Sequence, residues 1–592
     1  MREYTTNAAF TIAADDAIVR SVYRHARATP DLVLFSRPDG DGWSDVTATD
    51  FAELVTGVAK GLIRRGVQQG DRVVLLSATR FEWTLFDFAI WAAGAVSVPI
   101  YDSSSPEQIR WIVEDSGAVL AIVESDRHTG AFASLGVDAL SIEVDAVEAL
   151  LAAGRDLGDD VVRDRVAQIR ADDLASLVYT SGTTGRPKGC RLTHRNFVSE
   201  VRGILTASIG TVAKPGNRML TFLPLAHVLA RAVSLAMFEA GGTQAHWSNF
   251  GTIVGQFERF KPHTILGVPR VFEKVRDSAA QSAAQGGAVS KAVFDFAEKT
   301  AVRYSEALDE GKPSPLLRLQ HWVADRLVYS KLRTALGGEC WWAISGGGAL
   351  MPRLGHFFRG VGVPIYEGYG LTESTAAHCV NVPGAQRIGS VGQPMGGNSI
   401  RIAEDGEIEL SGGVMFGGYW HNEQATAEAF DGAWFRTGDL GALDEDGFLT
   451  ITGRKKDLLI TAGGKNVSPG PLEDRMRSHP LVSQAVVVGD GRPFIGALLT
   501  VDPEMLAHWS VENGKGDGAT ISALRDDPEL RAALQVVVDD ANTTVSHAEG
   551  VKRFAILGRD LTEDDGELTA TLKIKRNVVA ERFADEIEAL YH

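Results

Sequence analysis

Strand-like apolar runs alternate with helix-patterned segments from Phe51 onward, and this alternation restricts the fold more than any other feature of the chain. DFAELVTGVAKGLIRRG has helical spacing, DRVVLLS is a short apolar strand, and FEWTLFDFAIWAAGAVSVPI reads as helix, turn at Gly94 and strand. The pair IRWIVEDSG and AVLAIVES repeats the order, and HTILGVP, CWWAISGG and VPIYEGYG supply further strands. Strands separated by helices pair in parallel, because each crossover helix returns the chain to the same end of the sheet. The predicted class is α/β with doubly wound parallel-type sheets. Short β segments dominate from Ile400 to Ile451, with hairpin turns predicted at Glu404-Asp405-Gly406 and Asp444-Glu445-Asp446-Gly447. After Gly453 come a basic Arg-Lys-Lys run, a Gly463-Gly464 turn, a helix, the strand pattern LVSQAVVVGD and polar helices. The main boundary is therefore expected at Lys455–Lys456, giving a large domain over 1–455 and a small α+β domain over 456–592.

Composition narrows the partners. The 592 residues carry 59 Lys and Arg against 76 Asp and Glu, a formal charge of −17. A field of that sign repels nucleic acid and anionic lipid, so a polyanionic ligand needs a local cluster of donors. Cys190, Cys340 and Cys379 are widely separated and form no CxxC pair, which excludes a disulfide framework and a cysteine zinc site and fits a reducing compartment. The N-terminus shows no basic segment followed by a long apolar run, and Phe88 to Ile100 is shorter than the ~20 residues of a membrane span. A cytoplasmic protein without a transmembrane segment is expected, and no amphipathic basic helix stands out.

One segment carries the clearest chemistry. Tyr179-Thr-Ser-Gly-Thr-Thr-Gly-Arg-Pro-Lys-Gly189 follows the apolar strand LASLVY. Its glycines let the backbone turn and present N–H groups, Ser181, Thr183 and Thr184 add hydroxyls, and Lys188 adds charge, as a phosphate cradle requires. The lysine follows Arg-Pro, so this is not a Walker A loop.

YTSGTTGRPKG resembles the phosphate-binding signature of the AMP-forming adenylating enzymes, which include acyl-CoA synthetases, peptide-synthetase adenylation domains and beetle luciferases. Further segments resemble the family's motifs in the expected order. Leu223-Pro-Leu-Ala-His227 is similar to the substrate-binding motif, Tyr366-Glu-Gly-Tyr-Gly-Leu-Thr-Glu-Ser374 to the adenine and magnesium motif, and Trp434-Phe-Arg-Thr-Gly-Asp439 to the ribose motif. Gly453-Arg-Lys-Lys-Asp457 resembles the inter-domain hinge and Leu568-Thr-Ala-Thr-Leu-Lys573 the catalytic-lysine segment. Val268-Pro-Arg-Val-Phe-Glu-Lys274 and Ser345-Gly-Gly-Gly-Ala-Leu-Met-Pro352 are closest to the long-chain fatty acid–CoA ligases. The resemblance implies a small distorted β-barrel region beside the doubly wound sheets and a mobile C-terminal domain.

It also implies site residues. ATP or AMP would be held by Thr180, Ser181, Gly182, Thr183, Thr184, Gly185, Lys188, Gly346, Gly347, Gly348, Glu367, Gly368, Tyr369, Gly370, Thr372, Asp439 and Arg454. Glu373 and Thr184 would hold Mg2+, Tyr369 would stack on the base, and Asp439 with Arg454 would meet the ribose. His227 is expected to position rather than act as a base, since a carboxylate nucleophile is already ionised at pH 7. Lys573 would neutralise charge at the α-phosphate, Lys456 would be the pivot, and Lys575 and Arg576 read as solvated charges.

The implied activity is a fatty acid–CoA ligase. ATP and fatty acid give acyl-AMP and pyrophosphate; acyl-AMP and coenzyme A then give acyl-CoA and AMP. Two rivals stand beside it: a fatty acyl-AMP ligase that hands its product to a carrier protein, and an inactive acyl- or nucleotide-binding regulator. Homodimerisation and peripheral membrane contact are compatible with either reading.

Overall fold

The computed structural model describes residues 1–40, 42–180, 186–516, 518–563, 565–569 and 573–592. The chain divides into a larger unit, Met1–Arg401 with Glu409–Arg436 and Leu443–Leu449, and a smaller one, Ile402–Ile408, Thr437–Ala442 and Thr450–His592.

Two parallel sheets organise the larger unit. In the first, Asp138–Ser141, Leu120–Val123, Arg72–Leu76, Val96–Ile100 and Leu174–Thr180 run parallel in that order, and Lys188–Thr193 closes the edge antiparallel. In the second, Val33–Asp39, Thr243–His246, Arg218–Thr221, Thr264–Gly267, Trp342–Ser345 and Ile365–Tyr369 are parallel neighbours, with antiparallel strands at both margins. The expected strand–helix alternation is present, and with it the doubly wound winding.

Successive residues of a strand point to opposite faces, and both faces here are apolar. Val73 and Leu75 enter one core cluster, whereas Val74 and Leu76 enter another. Met219 and Leu220 divide in the same way on the second sheet. The cluster shared by the two sheets is built on the helices Phe81–Ala92, His194–Thr206 and Val228–Glu239. Phe81–Ala92 has apolar residues on all sides because it is buried throughout. Helix starts follow capping chemistry: Ser105 and Gln108 form a capping box, so the helix read as IRWIVEDSG begins earlier, at Pro106.

A charge lies inside this core. Arg231 is buried, with Nε 2.9 Å from Asp87 Oδ2 and Nη2 2.7 Å from Asp87 Oδ1. Its other protons go to Ser176 Oγ and Ser97 Oγ, and the guanidinium sits over Trp91 and Phe197 at 5.0 and 4.8 Å. The pair ties Val228–Glu239 to Phe81–Ala92 and to the strands carrying both serines. Arg231→Met should strand the Asp87 carboxylate and destabilise the larger unit by ~3–5 kcal/mol, and Asp87→Leu added to it should restore much of the loss. The midpoint of that unit's urea transition measures both.

Short strands follow. Glu3–Thr6 pairs antiparallel with residues 398–401, and Phe430–Asp431 with residues 434–435. The predicted turns form: Ala403 N–H donates to Glu407 O at 2.9 Å, and Asp444 N–H to Phe448 O at 3.1 Å.

In the smaller unit, Val482–Val488 pairs antiparallel with Ile495–Val501, which pairs parallel with Val551–Ile556. Pro469–Arg477 and Pro528–Asn542 pack their apolar residues on this sheet. Cys190, Cys340 and Cys379 are free thiols.

Candidate active site

In an open parallel sheet, loops leaving the carboxyl ends of adjacent strands make a natural ligand site. Four of the motifs leave adjacent strands of the second sheet in that way. Arg218–Thr221 leads into Leu223–His227, Thr264–Gly267 into Val268-Pro269-Arg270, Trp342–Ser345 into Gly346-Gly347-Gly348, and Ile365–Tyr369 into Gly370–Glu373. They are packed together: Gly346 N–H donates to Gly267 O at 3.3 Å, and a Cβ at Gly346 would fall 2.9 Å from Leu229. A cavity of about 140 Å3 adjoins the Leu223–His227 segment and is lined by Thr79, Tyr101, Phe222, Pro224 and Ala226 among others.

His227 caps the helix Val228–Glu239, its Nδ1 accepting from Leu229 N–H at 3.2 Å. That bond places the ring proton on Nε2 and fixes the ring orientation. Glu367 turns inward, its Oε1 accepting from Leu350 N–H at 2.8 Å. It therefore braces the segment after the three glycines from the neighbouring strand. Gly368 and Tyr369 pair with Val380 and Cys379, and the Tyr369 ring is almost wholly buried at the strand end.

The turn after Tyr369 is tightly specified. A Cβ at Gly370 would lie 1.6 Å from Ala376 O, so only glycine fits there. Thr372–Ser374 is a short 3-10 turn, closed by Leu371 N–H donating to Ser374 Oγ at 2.9 Å. Thr375 adopts φ 65° and is held by Thr375 Oγ1 donating to Val414 O at 2.5 Å. Glu373 leaves this turn with Oε1 accepting from Tyr419 Oη at 2.8 Å. Burial and the negative charge of Glu373 raise the Tyr419 pKa, so the phenol stays protonated and donates. Lys188 Nζ lies 4.9 Å from the centre of the same ring. Glu200 braces the far side of the turn: buried in the helix His194–Thr206, its Oε1 accepts from Ala377 N–H at 2.9 Å, and burial pushes its pKa to about 8.

Thr180 and Lys188, on either side of the phosphate-loop segment in the sequence, are paired residues of two antiparallel strands. Ser181, Gly182, Thr183, Thr184 and Gly185 lie outside the described residues. The stems are fixed: Tyr179 Oη donates to Asp115 Oδ2 at 2.6 Å, Trp111 Nε1 to Pro187 O at 2.8 Å, and Trp420 N–H to Gly189 O at 2.7 Å.

Three more predicted residues come together in the smaller unit. Asp439, 3% exposed, accepts from Arg454 Nε at 2.8 Å. Its backbone N–H donates to Thr437 Oγ1, and Lys455 pairs with Asp405 and Glu407 at 2.5 and 2.9 Å. Lys456 is exposed in the short turn Lys455–Asp457. Lys573 stands on one arm of a hairpin whose Leu568 and Ile574 bridge antiparallel. It keeps solvent-exposed surface, yet crowding by protein atoms, then the positive Arg454, hold its pKa below the usual lysine value while Asp439 opposes the shift.

Buried carboxylates anchor this hairpin. Glu567 accepts from Arg559 at 2.5 and 2.8 Å and from Arg582 at 3.0 Å. Arg576, expected to be solvated, pairs instead with buried Glu473, whose Oε1 also accepts from Val487 N–H at 2.6 Å. Sequence reading missed Tyr419, Glu200, Glu567 and Glu473. Each is a lone residue within an ordinary element, and only the fold brings it to the motif.

Among the described residues, no group of three or more His, Cys, Asp or Glu could hold a metal ion. One oriented carboxylate still suits Mg2+, which binds one or two protein oxygens and completes its shell with phosphate and water. No helix among the described residues is long and apolar enough to cross a membrane.

The AMP-binding enzyme model matches residues 22–420, and the AMP-binding enzyme C-terminal domain matches residues 456–592. The chain is 51% identical over 601 residues to the long-chain-fatty-acid–CoA ligase FadD15 of Mycobacterium bovis, covering 100% of both chains. A solved Mycobacterium tuberculosis fatty acyl CoA synthetase superposes with a TM-score of 0.62 at 20% identity, covering 96% of this chain and 98% of that one. The o-succinylbenzoate coenzyme A synthetase of Bacillus subtilis, solved with ATP and magnesium ion, gives 0.67 at 20% identity over 94% and 98%.

Proposed function

We infer the reaction from one premise: the chain belongs to the AMP-binding enzyme family. It is a long-chain fatty acid–CoA ligase, and the observation that carries this is the 51% identity to FadD15 along the whole of both chains. The substrates are a fatty acid, ATP and coenzyme A, and the three unpaired cysteines suit a cytoplasmic setting.

In the first step a fatty-acid carboxylate oxygen attacks the α-phosphorus of ATP, and the bond to pyrophosphate breaks. Charge grows on the phosphoryl oxygens, so fixed cations and donors there lower the barrier. Thr180 to Lys188 would cradle the phosphates, with Lys188 directed by the Tyr419 ring. Mg2+ at Glu373 would supply further positive charge, and Tyr419 holds that carboxylate in one orientation. Asp439 would accept from the ribose hydroxyls while Arg454 fixes its free rotation. Lys573 would neutralise the pentavalent phosphorus and the acyl carboxylate. The crowding by protein atoms that lowers its pKa also leaves the ammonium partly desolvated, which strengthens its pull on an anion.

In the second step the coenzyme A sulfur attacks the acyl carbon, AMP leaves with the bonding pair, and the thiol proton passes to solvent. Lys456 is the proposed pivot between steps, and its exposed turn leaves its backbone room to rotate. A series of fatty acids of graded length, incubated with ATP and coenzyme A, should give thioester in step with pyrophosphate for the long chains. Pyrophosphate without thioester would instead indicate an acyl-AMP ligase, and neither product an inactive regulator.

A further inference from the structure

One helix of the larger unit grips the phosphate-loop segment from behind. The helix Pro106–Ser116 carries Trp111 and Asp115 one turn apart, so both side chains leave the same stripe. Trp111 Nε1 donates to Pro187 O at 2.8 Å, and its ring centre lies 4.7 Å from the Arg186 guanidinium. Proline has no N–H to give a sheet partner, so this carbonyl is the one backbone group by which residue 187 can be held. Asp115 reaches two further segments. Its Oδ2 accepts from Tyr179 Oη at 2.6 Å, and its main-chain oxygen accepts from Trp420 Nε1 at 3.0 Å. Burial and the Asp115 carboxylate raise the Tyr179 pKa, so the phenol remains a donor.

The strand Lys188–Thr193 lies between two neighbours. Leu174–Thr180 pairs with it on one edge; on the other, Trp420 N–H donates to Gly189 O at 2.7 Å and Arg191 N–H to Gly418 O at 3.1 Å. Side chains alternate across such strands. Tyr179 belongs to the core cluster under the helix, and Trp111 and Trp420 pack against that cluster, whereas Val178 and Tyr419 pack on the opposite face. Lys188 is the partner of Thr180 and so stands on that opposite face. There its Nζ lies 4.9 Å from the Tyr419 ring centre, and Tyr419 Oη meets Glu373. Gly189 is squeezed between: a Cβ there would fall 3.0 Å from the Tyr179 ring and 3.3 Å from Trp420. The helix therefore holds the back of two adjacent segments whose fronts carry Lys188 and Tyr419.

Taking the phosphate-loop role stated above as given, we propose that Trp111 is a positioning residue for the adenylation step. With Asp115 it fixes Lys188 against Tyr419 and Glu373, and so sets where the pyrophosphate portion of ATP is received. A glycine-rich segment supplies donors but loses much backbone freedom when it is ordered around an anion. Anchoring both flanks of that segment to one helix lowers this cost before ATP arrives, because a preorganised site gives up less entropy on binding. The helix does not need these contacts to be buried, since Ile109, Ile112 and Val113 anchor it in the core. Arg186, exposed on the Trp111 ring, also keeps a second cation two positions from Lys188 in a chain of −17.

The test is calorimetric binding of ATP and of AMP, each with magnesium, to the full chain and to Trp111→Phe, Lys188→Ala and the double variant. Phenylalanine keeps a ring for Arg186 and for the core but cannot donate to Pro187. Trp111→Phe should weaken ATP by about five-fold, the worth of one hydrogen bond, and leave AMP within about two-fold. In the Lys188→Ala background the same change should cost no more than about two-fold, because the group it positions is gone. Pyrophosphate release at subsaturating ATP should fall in step, while thioester formation from supplied acyl-adenylate and coenzyme A stays normal. Tyr179→Phe removes the Asp115 contact instead and should give the same loss of ATP over AMP, so the test survives if Trp111→Phe misfolds. The proposal is overturned if both variants bind ATP as the wild type does, or if ATP and AMP weaken alike. It is equally overturned if the Trp111→Phe loss persists undiminished beside Lys188→Ala. The ATP-to-AMP contrast is read without turnover, so a failure of the ligase reading would show separately, as a wild type that makes no product.

Discussion

Lys573→Ala should lose acyl-adenylate formation by ~10²–10³ while still converting supplied acyl-adenylate and coenzyme A to acyl-CoA at close to the normal rate. The proposed task of the ammonium is to meet the pentavalent α-phosphorus, and that arrangement forms only in the first half-reaction. The structure gives the residue the support such a role needs. Its hairpin is held by Glu567 between Arg559 and Arg582, and by Arg576 on buried Glu473. Truncating Lys573 leaves those anchors untouched, so the loss should be chemical rather than structural. Arg454 supplies the contrast: it lowers the Lys573 pKa from nearby and is itself paired with Asp439. Lys456→Pro should give the opposite pattern, permitting adenylation but slowing thioester formation, because proline fixes a torsion at the proposed pivot. Rapid-quench measurement of each half-reaction separates them. Equal impairment of both steps in Lys573→Ala would refute a role confined to the first.

The parallel sheets were legible because a strand buried on both faces is a short continuous apolar run, and a crossover helix needs its own amphipathic length. Val73 to Leu76 feeds two clusters in alternation and so reads as uniformly apolar. The motif loops were legible because backbone approach leaves a local signature, glycine at Gly370 and Gly346 where a side chain would collide. What stayed hidden is long-range polar pairing. Asp87 and Arg231 lie 144 positions apart, and neither position is marked as buried until two helices meet. Glu200 looks like any helical glutamate, and only the turn at Ala377 gives its carboxylate a reason to be inside. Arg576 was misread because a basic run is usually solvated, whereas buried Glu473 draws this one charge inward.

Glu373→Gln should lower adenylation by ~10²–10³ with the fold intact, and added magnesium should not restore it. Glutamine keeps the shape of the side chain and can still accept from Tyr419, so the turn Thr372–Ser374 has no cause to move. What disappears is the negative charge that would hold the cation. The structure separates that role from a purely structural one, because the turn is secured by other groups. Ser374 closes onto Leu371, Thr375 onto Val414, and Ala377 onto Glu200, none of which uses the Glu373 carboxylate. Tyr419→Phe is the companion variant. It removes the hydrogen bond that orients the carboxylate but leaves the charge, and a bond to a charged group is worth ~1.5–3 kcal/mol at most. Its loss should therefore be the smaller, and partly recoverable by raising magnesium. Pyrophosphate release across a magnesium titration distinguishes the two. If Glu373→Gln retained near-normal turnover at saturating magnesium, the carboxylate would be only a partner for Tyr419, and the cation would have to be held by other groups.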